Sequence, residues 1–432
     1  KQLRYLPEFG WEPVVLTVER DASYPVRDPA LEAEVPTGLV VRRTRCPEPH
    51  ALYRRLTGQS SGTDLDIVTQ SAEENGWRRR FSRAVRATLF VPDARIGWLP
   101  FATRAGLRLV RETGCEAIFS SGPPFTCHLI GRALARRTRL PWIADYRDPW
   151  TQATFYPQRP GWVRAIDERL ERSCVREAAR SITVGEGMAR QLRDASPETA
   201  PERVVVIPNG YDPIEFAGIP YDPPKELRVT HSGSLFHNRI PHAFFDAVEG
   251  LLAEDPAAEA DLRLHFAGPL DQAVLDLLNR NVCKRITSTR GFLPHHENLK
   301  LLRRSRVLLL LIGTDAQSKT MVTCKVYEYI AAGIPILAVG PPDGDAASVL
   351  RQTGTGWIFA HDDRAGLQGK LRQLLEEHRR HPPAAGAVQP ARFGLDPDPV
   401  AIEGYSRREQ TRQLACLLSE VTPATASAPG KS

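Results

Sequence analysis

The amino-acid sequence predicts two α/β domains in tandem, each a doubly wound, mostly parallel sheet wrapped by helices. Three observations carry this reading. The chain has 432 residues, room for two domains of roughly 100 to 200 residues apiece. Short β-branched runs alternate with helix-length segments, the pattern of parallel strands joined by crossover helices. The alternation stops once, at a proline-rich stretch over 212–224, and then restarts.

In the first half, strands are predicted over 13–18 (PVVLTV), 39–44 (LVVRRT), 115–121 (CEAIFSS), 141–146 (PWIADY), 181–185 (SITVG) and 204–210 (VVVIPNG). Helix-length segments such as 168–180 lie between several of them. The stretch 212–224 carries four prolines and cannot hold regular structure for long. It divides the chain into a first domain over 1–211, a linker over 212–225 and a second domain over 226–390. Strands resume at 227–233, 262–268, 307–312, 334–340 and 356–360. A Pro/Ala-rich segment over 381–391 precedes an amphipathic helix predicted over 400–421. The tail, 422–432, is poor in bulky residues and reads as disordered.

Composition excludes several classes. With 42% hydrophobic and 25% charged residues of mixed sign, the chain is too apolar and too balanced to be mainly disordered. The longest strongly apolar run, 307–312 (VLLLLI), is far short of the roughly 20 residues of a membrane-spanning helix. The chain opens on Lys1 within a helical pattern, without a leader or an initiator methionine, so the expectation is that the start of the protein is missing. Seven scattered cysteines without a CxxC argue against a disulfide frame and a zinc site, and fit a reducing cytoplasm. The net charge of +6 is uneven: 77–111 is rich in arginine, with Arg78, Arg79, Arg80 and Arg83 at its start. That stretch reads either as a docking face for an anionic surface or as a solvated helix face. Nucleic acid is the least supported partner, because no recognisable reading module accompanies the charge.

In open α/β sheets ligands bind beyond the carboxyl ends of the strands, which directs attention to the residues after each one. Ser121 and Gly122, followed by Pro123 and Pro124, make a rigid strand-to-helix turn whose amides can face an anion, or which serves the turn alone. Asp145, Arg147 and Asp148 concentrate charge after an apolar strand, as a site or as an ion pair stapling a loop. The segments 185–188 and 208–212 are further turns, the latter with the look of a hinge. Gly233 and Ser234, with Asn238 and Arg239, open the second domain where backbone can approach a diphosphate. No GxGxxG or GxxxxGK[ST] occurs, so neither dinucleotide nor P-loop chemistry is indicated. The strongest pattern is KVYEYIAAGIP, 325–335, a helix with Lys325 and Glu328 one turn apart, closed by Gly333. Glu328 suits ribose hydroxyls and Lys325 suits phosphate, although the same pair on an isolated helix would be a salt bridge.

In order and spacing, LRYLPEFGWEPVVLTV, SSGPPFTCHLIG, PWIADYRDPW, ERSCVREAARSITVGEGM, VVVIPNGYD, SGSL and KVYEYIAAGIPILAV resemble the retaining, nucleotide-sugar-dependent glycosyltransferases of family 4 over nearly the whole chain. The texture is similar to that of enzymes of bacterial exopolysaccharide and surface-polysaccharide biosynthesis. The resemblance implies a GT-B fold, two Rossmann-like domains facing a cleft. It gives the acceptor to the first domain and a UDP- or GDP-sugar to the second, with the helix over 400–421 returning to the first. It implies that Glu328 holds the ribose, that Gly233, Ser234, Asn238, Arg239 and Lys325 surround the diphosphate, and that Gly291, Phe292 and Tyr327 complete the donor side. Ser121, Gly122, His128, Asp145, Arg147 and Asp148 would line the acceptor side. The acceptor would be a saccharide or a lipid-diphosphate-linked sugar, reached in the cytoplasm or at the inner face of the cell membrane. No metal and no cofactor beyond the sugar nucleotide is expected, since no DxD pair sits in a suitable loop.

The sequence departs from the family in three places. Thr320 stands where the first glutamate of an E-x7-E pattern belongs, with Asp315 the nearest upstream acid. Ser121 stands where a cleft histidine is frequent, with His128 further along. The first strand and its glycine-rich loop have no counterpart. Two other readings stay open: a non-catalytic nucleotide-sugar or polyanion binder, and a sugar-nucleotide epimerase on the same fold, which would need a cluster of acids and histidines to move a proton.

Overall fold

The computed structural model describes residues 1–20, 22, 34–47, 88, 90–153, 156, 159–236, 239–279, 281–320, 322–383 and 389–423. Asn238, the arginines at 78–83 and the tail beyond 423 lie outside these residues. The chain divides into two compact units, one of Lys1–Ile207 with Thr411–Ser432 and one of Pro208–Gln410.

The first unit holds two parallel sheets. β1 (Val14–Val18) pairs with β2 (Val40–Thr44). β3 (Ile118–Gly122), β4 (Trp142–Tyr146), β5 (Arg180–Thr183) and β6 (Val204–Val206) form the second sheet in that order. β4 is buried at every position, because both faces of a parallel sheet are covered. Its alternate residues go to opposite cores, as the two-residue period of a strand requires. Trp142, Ala144 and Tyr146 pack with Leu129, Cys174 and Met188, while Ile143 packs with Leu6, Ile182, Leu414 and Leu418. The first of these cores is roofed by four helices, α1 (Leu99–Thr113), α2 (Thr126–Thr138), α3 (Gly161–Glu177) and α4 (Glu186–Ala195), each packed on the next.

The second unit is built on one six-stranded parallel sheet, β7 (Leu227–Ser232), β8 (Leu262–Ala267), β9 (Thr287–Arg290), β10 (Val307–Leu311), β11 (Ile336–Val339) and β12 (Gly356–Phe359), in the order β12-β11-β10-β7-β8-β9. The order reverses between β7 and β10, and beyond the carboxyl ends at such a switch point lies the crevice where α/β sheets bind ligands. Leu308 and Leu310 face one core and Leu309 and Leu311 the other. The helices used below are α5 (His242–Glu254), α6 (His295–Arg303), α7 (Cys324–Ala332) and α8 (Arg407–Val421), the last joining the first unit from Thr411 onward.

Two features were not in the sequence pattern. β9 is TSTR, a polar edge strand exposed at three of its four positions, so it carries no apolar period. The 212–225 segment, read as a linker, packs into the second unit: Pro213–Phe216 is a 3₁₀ turn capped by Asp212, and Phe216, Ile219 and Tyr221 are buried in a core. Three large apolar side chains between the prolines give the segment something to bury. None of the seven cysteines forms a disulfide.

Candidate functional site

The switch point of the second unit gathers the charged residues singled out above. β7 ends at Ser232, and Gly233 follows with φ +129°, a backbone conformation that side-chain-bearing residues rarely adopt. The reason for glycine is spatial as well: a Cβ there would collide with the Nζ and Cε of Lys325. The lysine chain therefore lies against the backbone at the strand end. Gly268, after β8, repeats the device with φ +124°, and a Cβ on it would meet the Gly233 carbonyl 2.5 Å away. The Gly268 amide bonds the carbonyls of Arg290 (2.9 Å) and Gly291 (3.2 Å). The loops after β7, β8 and β9 are thus laced together by main chain, with Phe292 projecting from the third at 76% exposure.

α7 supplies the functional side chains. Thr323 caps it, its hydroxyl accepting from the Lys325 amide at 3.1 Å, and Gly333 closes it in the left-handed region with φ +69°. At 100° per residue, Lys325, Glu328 and Tyr329 project to one side. Tyr329 is fully buried; its hydroxyl accepts from the Ser232 amide at 2.9 Å and donates to the Ser232 carbonyl at 3.3 Å, pinning α7 to the end of β7. Tyr327 points the other way. It is buried in the core with its ring 5.4 Å from that of Tyr405, which corrects its assignment to the donor side: one step along a helix turns a side chain away from its neighbour's face.

The electrostatics follow from burial. Desolvation pushes the Lys325 ammonium down to about 8, with Arg239 adding repulsion and Glu328 opposing. Desolvation raises the Glu328 carboxyl, with Glu215 adding to the rise and His295 and Lys325 opposing it. His295, at the start of α6, lies 3.1 Å from the Glu215 carboxylate through Nε2. His231 is buried one residue before the strand end; Nδ1 donates to the Leu309 carbonyl at 2.9 Å, which fixes the proton there and leaves Nε2 buried without a partner. Desolvation, helped by Lys325 and Arg239, lowers this ring to about 3, so it stays neutral at ordinary pH. Sequence reasoning missed Glu215, His231, His295 and Tyr329. The last stands within the helix pattern already singled out, and the others needed the fold to bring them near it.

At Thr320 the family pattern has a glutamate. Asp315 caps the short turn Ala316–Lys319 instead, its carboxylate accepting from the Ser318 amide at 3.1 Å.

In the first unit the predicted acceptor residues fall into two groups. Ser121, exposed at the end of β3, donates to Asp145 Oδ2 at 2.8 Å, and Arg147 Nε donates to the same oxygen at 2.7 Å. The Arg147 amide also holds the Gly122 carbonyl at 2.9 Å. Asp145 is buried, with Oδ1 lacking a partner. Asp148 is half-buried, and desolvation raises its carboxyl.

His128 belongs to the interior. It is 0% exposed, ringed by Phe125, Trp142, Tyr146 and Trp150, and desolvation lowers it to about 3. Its Nδ1 lies 2.9 Å from Ser120 Oγ, which also accepts from Trp142 Nε1 at 2.8 Å. A Cβ on Gly122 would sit 2.8 Å from its Nε2, so that glycine makes room for the ring. The assignment of His128 to the acceptor surface is therefore corrected: the first turn of α2 faces the sheet. Asp93 caps the same helix, accepting from the Thr126 amide and hydroxyl at 2.9 and 2.8 Å.

The comparisons agree with this architecture. Residues 57–210 match the family model of the glycosyl transferase 4-like domain. No curated protein matches the chain by sequence. Among solved structures, α,α-trehalose 6-phosphate synthase from Burkholderia multivorans is similar at 12% identity and a TM-score of 0.55, covering 97% of this chain and 99% of that one. HepE from Anabaena, solved with UDP, is 14% identical with a TM-score of 0.53 over 74% of this chain and 82% of its own. Sucrose-phosphate synthase from Thermosynechococcus elongatus is 15% identical with a TM-score of 0.52 over 76% and 78%. Residues 57–210 are thus similar to the glycosyl transferase 4-like domain, and the chain shares its fold with the GT-B glycosyltransferases.

Proposed function

We propose that the protein transfers a sugar from a UDP- or GDP-sugar, held by the second unit, to a saccharide or lipid-linked acceptor held by the first, with retention, in surface or exopolysaccharide biosynthesis. The observation that carries this reading is Lys325 laid against Gly233 at the switch point, with Arg239 beside it and Glu328 one turn along. Two cations at a glycine-lined strand end suit a diphosphate, and a carboxylate one helical turn away suits ribose hydroxyls. HepE, which shares the fold, was solved with UDP.

In this mechanism the bond from the anomeric carbon to the diphosphate oxygen breaks while an acceptor hydroxyl attacks from the same face and passes its proton to the departing diphosphate. Lys325 and Arg239 stabilise the charge that develops on the leaving diphosphate, the place where preorganised electrostatics contribute most. The two fixed cations take the part of a divalent ion, so turnover should persist in EDTA. Ser121, Asp145, Arg147 and Asp148 would meet the acceptor, and the enzyme would work in the cytoplasm or at the membrane face.

A donor screen by mass spectrometry, with free UDP or GDP measured on adding acceptor and the product's anomeric configuration assigned, tests the proposal. An inverted product overturns the stereochemical part. Thr320, in place of an acidic residue, favours a second reading, a sugar-nucleotide binder without turnover; tight nucleotide binding with no donor consumed would establish it.

A further inference from the structure

The helical layer of the first unit has an outer face that the sugar-transfer chemistry does not use. Three large apolar side chains stand out on it: Phe101 at 43% exposure, Trp162 at 61% and Ile166 at 43%. Phe101 is in the first turn of α1, and Trp162 and Ile166 are in the first two turns of α3. α1 leads into β3 and α3 into β5, and a helix entering a parallel strand starts at the carboxyl edge of the sheet. All three side chains therefore lie toward one end of the layer. Arg159, just before α3, donates to the carbonyls of Phe90 and Pro92, in the segment that leads into α1, at 3.0 and 2.8 Å.

Helical spacing continues each apolar tip into arginine. Phe101, Arg104 and Arg108 fall on one stripe of α1, and Trp162, Ile166 and Arg169 on one stripe of α3, all of them exposed. Across α1, α2 and α3 there are ten arginines against five acids, and two of the acids, Asp167 and Glu171, are buried. Each of the other three is held by an arginine: Glu112 by Arg42 at 2.7 Å, Glu168 by Arg164 at 2.8 Å and Glu177 by Arg136 at 2.6 Å. Arg104, Arg108 and Arg169 have no ion-pair partner among the described residues. The outward field is positive, while the tip is aromatic and aliphatic.

We propose that this face docks on an anionic lipid bilayer, Phe101, Trp162 and Ile166 entering the headgroup region and the arginines pairing with lipid phosphates. Exposed Trp and Phe beside a basic face is the composition that seats helices at a membrane interface, where the apolar tip and the charge act together. A nucleic acid would use the charge but leave the apolar tip in water. The proposal deepens the membrane-face location proposed above and is tested apart from sugar transfer, since none of these residues belongs to the donor or acceptor sites.

Flotation of the whole protein with phosphatidylglycerol-containing and pure phosphatidylcholine vesicles tests it. Two triple variants at exposed positions separate the contributions: Phe101→Ser with Trp162→Ser and Ile166→Ser, and Arg104→Gln with Arg108→Gln and Arg169→Gln. The wild type should partition at least about tenfold better onto the anionic vesicles, and each variant should lose about tenfold, with thermal melts and UDP affinity unchanged. Brominated acyl chains should quench the wild type more than Trp162→Phe. Absence of binding to anionic vesicles, binding that survives the apolar variant, or preferential binding to duplex DNA over vesicles would each overturn the proposal.

Discussion

The two units use one backbone device for different ends. In each, a basic side chain from a following helix is pressed against a glycine at the end of a strand: His128 against Gly122 in the first and Lys325 against Gly233 in the second. In the first unit the ring is shut in by four aromatic side chains, and desolvation strips it of charge, down to about 3. In the second the ammonium is only partly buried, sits beside Arg239 and titrates near 8. The same close approach is thus structural where the surroundings are dry and aromatic, and an anion site where a second cation and an open strand end accompany it. The glycine alone does not say which.

The sharpest way to break the comparison is to fill each glycine. Gly233→Val places a side chain where Lys325 lies and strains a positive φ, so UDP affinity should fall about 100-fold by calorimetry, combining backbone strain with loss of a charged contact. Lys325→Met leaves the backbone alone; the loss should be about 30-fold, the worth of a hydrogen bond to a charged group. Removing a half-buried cation should also raise the melting temperature of the free protein below pH 8. The sign follows from its folded value of about 8 against an ordinary 10.5: between those values the unfolded chain holds the extra proton, so charged Lys325 costs stability at lower pH. Gly122→Ala should instead cost about 1–3 kcal/mol of stability, as overpacking of a core does, and leave UDP affinity within about twofold. An equal loss of UDP binding from both glycine variants would sink the division of roles.

What the sequence made legible follows the same line. Alternation of β-branched runs and helices located eleven of the twelve strands among the described residues, because buried parallel strands are apolar runs; the polar edge strand β9 had no such signal. Lys325 and Glu328 were readable since helical spacing fixes their common face. Tyr327 was misread and Tyr329 passed over, for a tyrosine's helical position becomes informative only when the strand end it reaches is known. His128 was assigned to a surface it does not occupy: a lone histidine in the first turn of a helix carries no mark of the four rings that will enclose it. Glu215 and His295 are 80 positions apart, a separation that spacing rules cannot bridge.

The smallest effect sharpens the comparison most, because it reads charge alone. The last phosphate ionisation of UDP lies at about 6, so above pH 7 the charge on its diphosphate no longer changes. Lys325, at about 8 in the free protein, must be protonated to pair with it, and binding draws a proton back onto the amine. UDP affinity should be level between about pH 7 and pH 8 and fall by up to about tenfold per unit above it. Calorimetry at pH 8 in buffers of different ionisation enthalpy should register proton uptake. Lys325→Met should abolish both the slope and the uptake. His128→Gln should alter neither, since that ring is already neutral throughout this range. A wild-type affinity that stays flat to pH 9, or a slope between pH 8 and 9 that persists in Lys325→Met, would show that the ammonium against Gly233 is, like the imidazole against Gly122, there to pack.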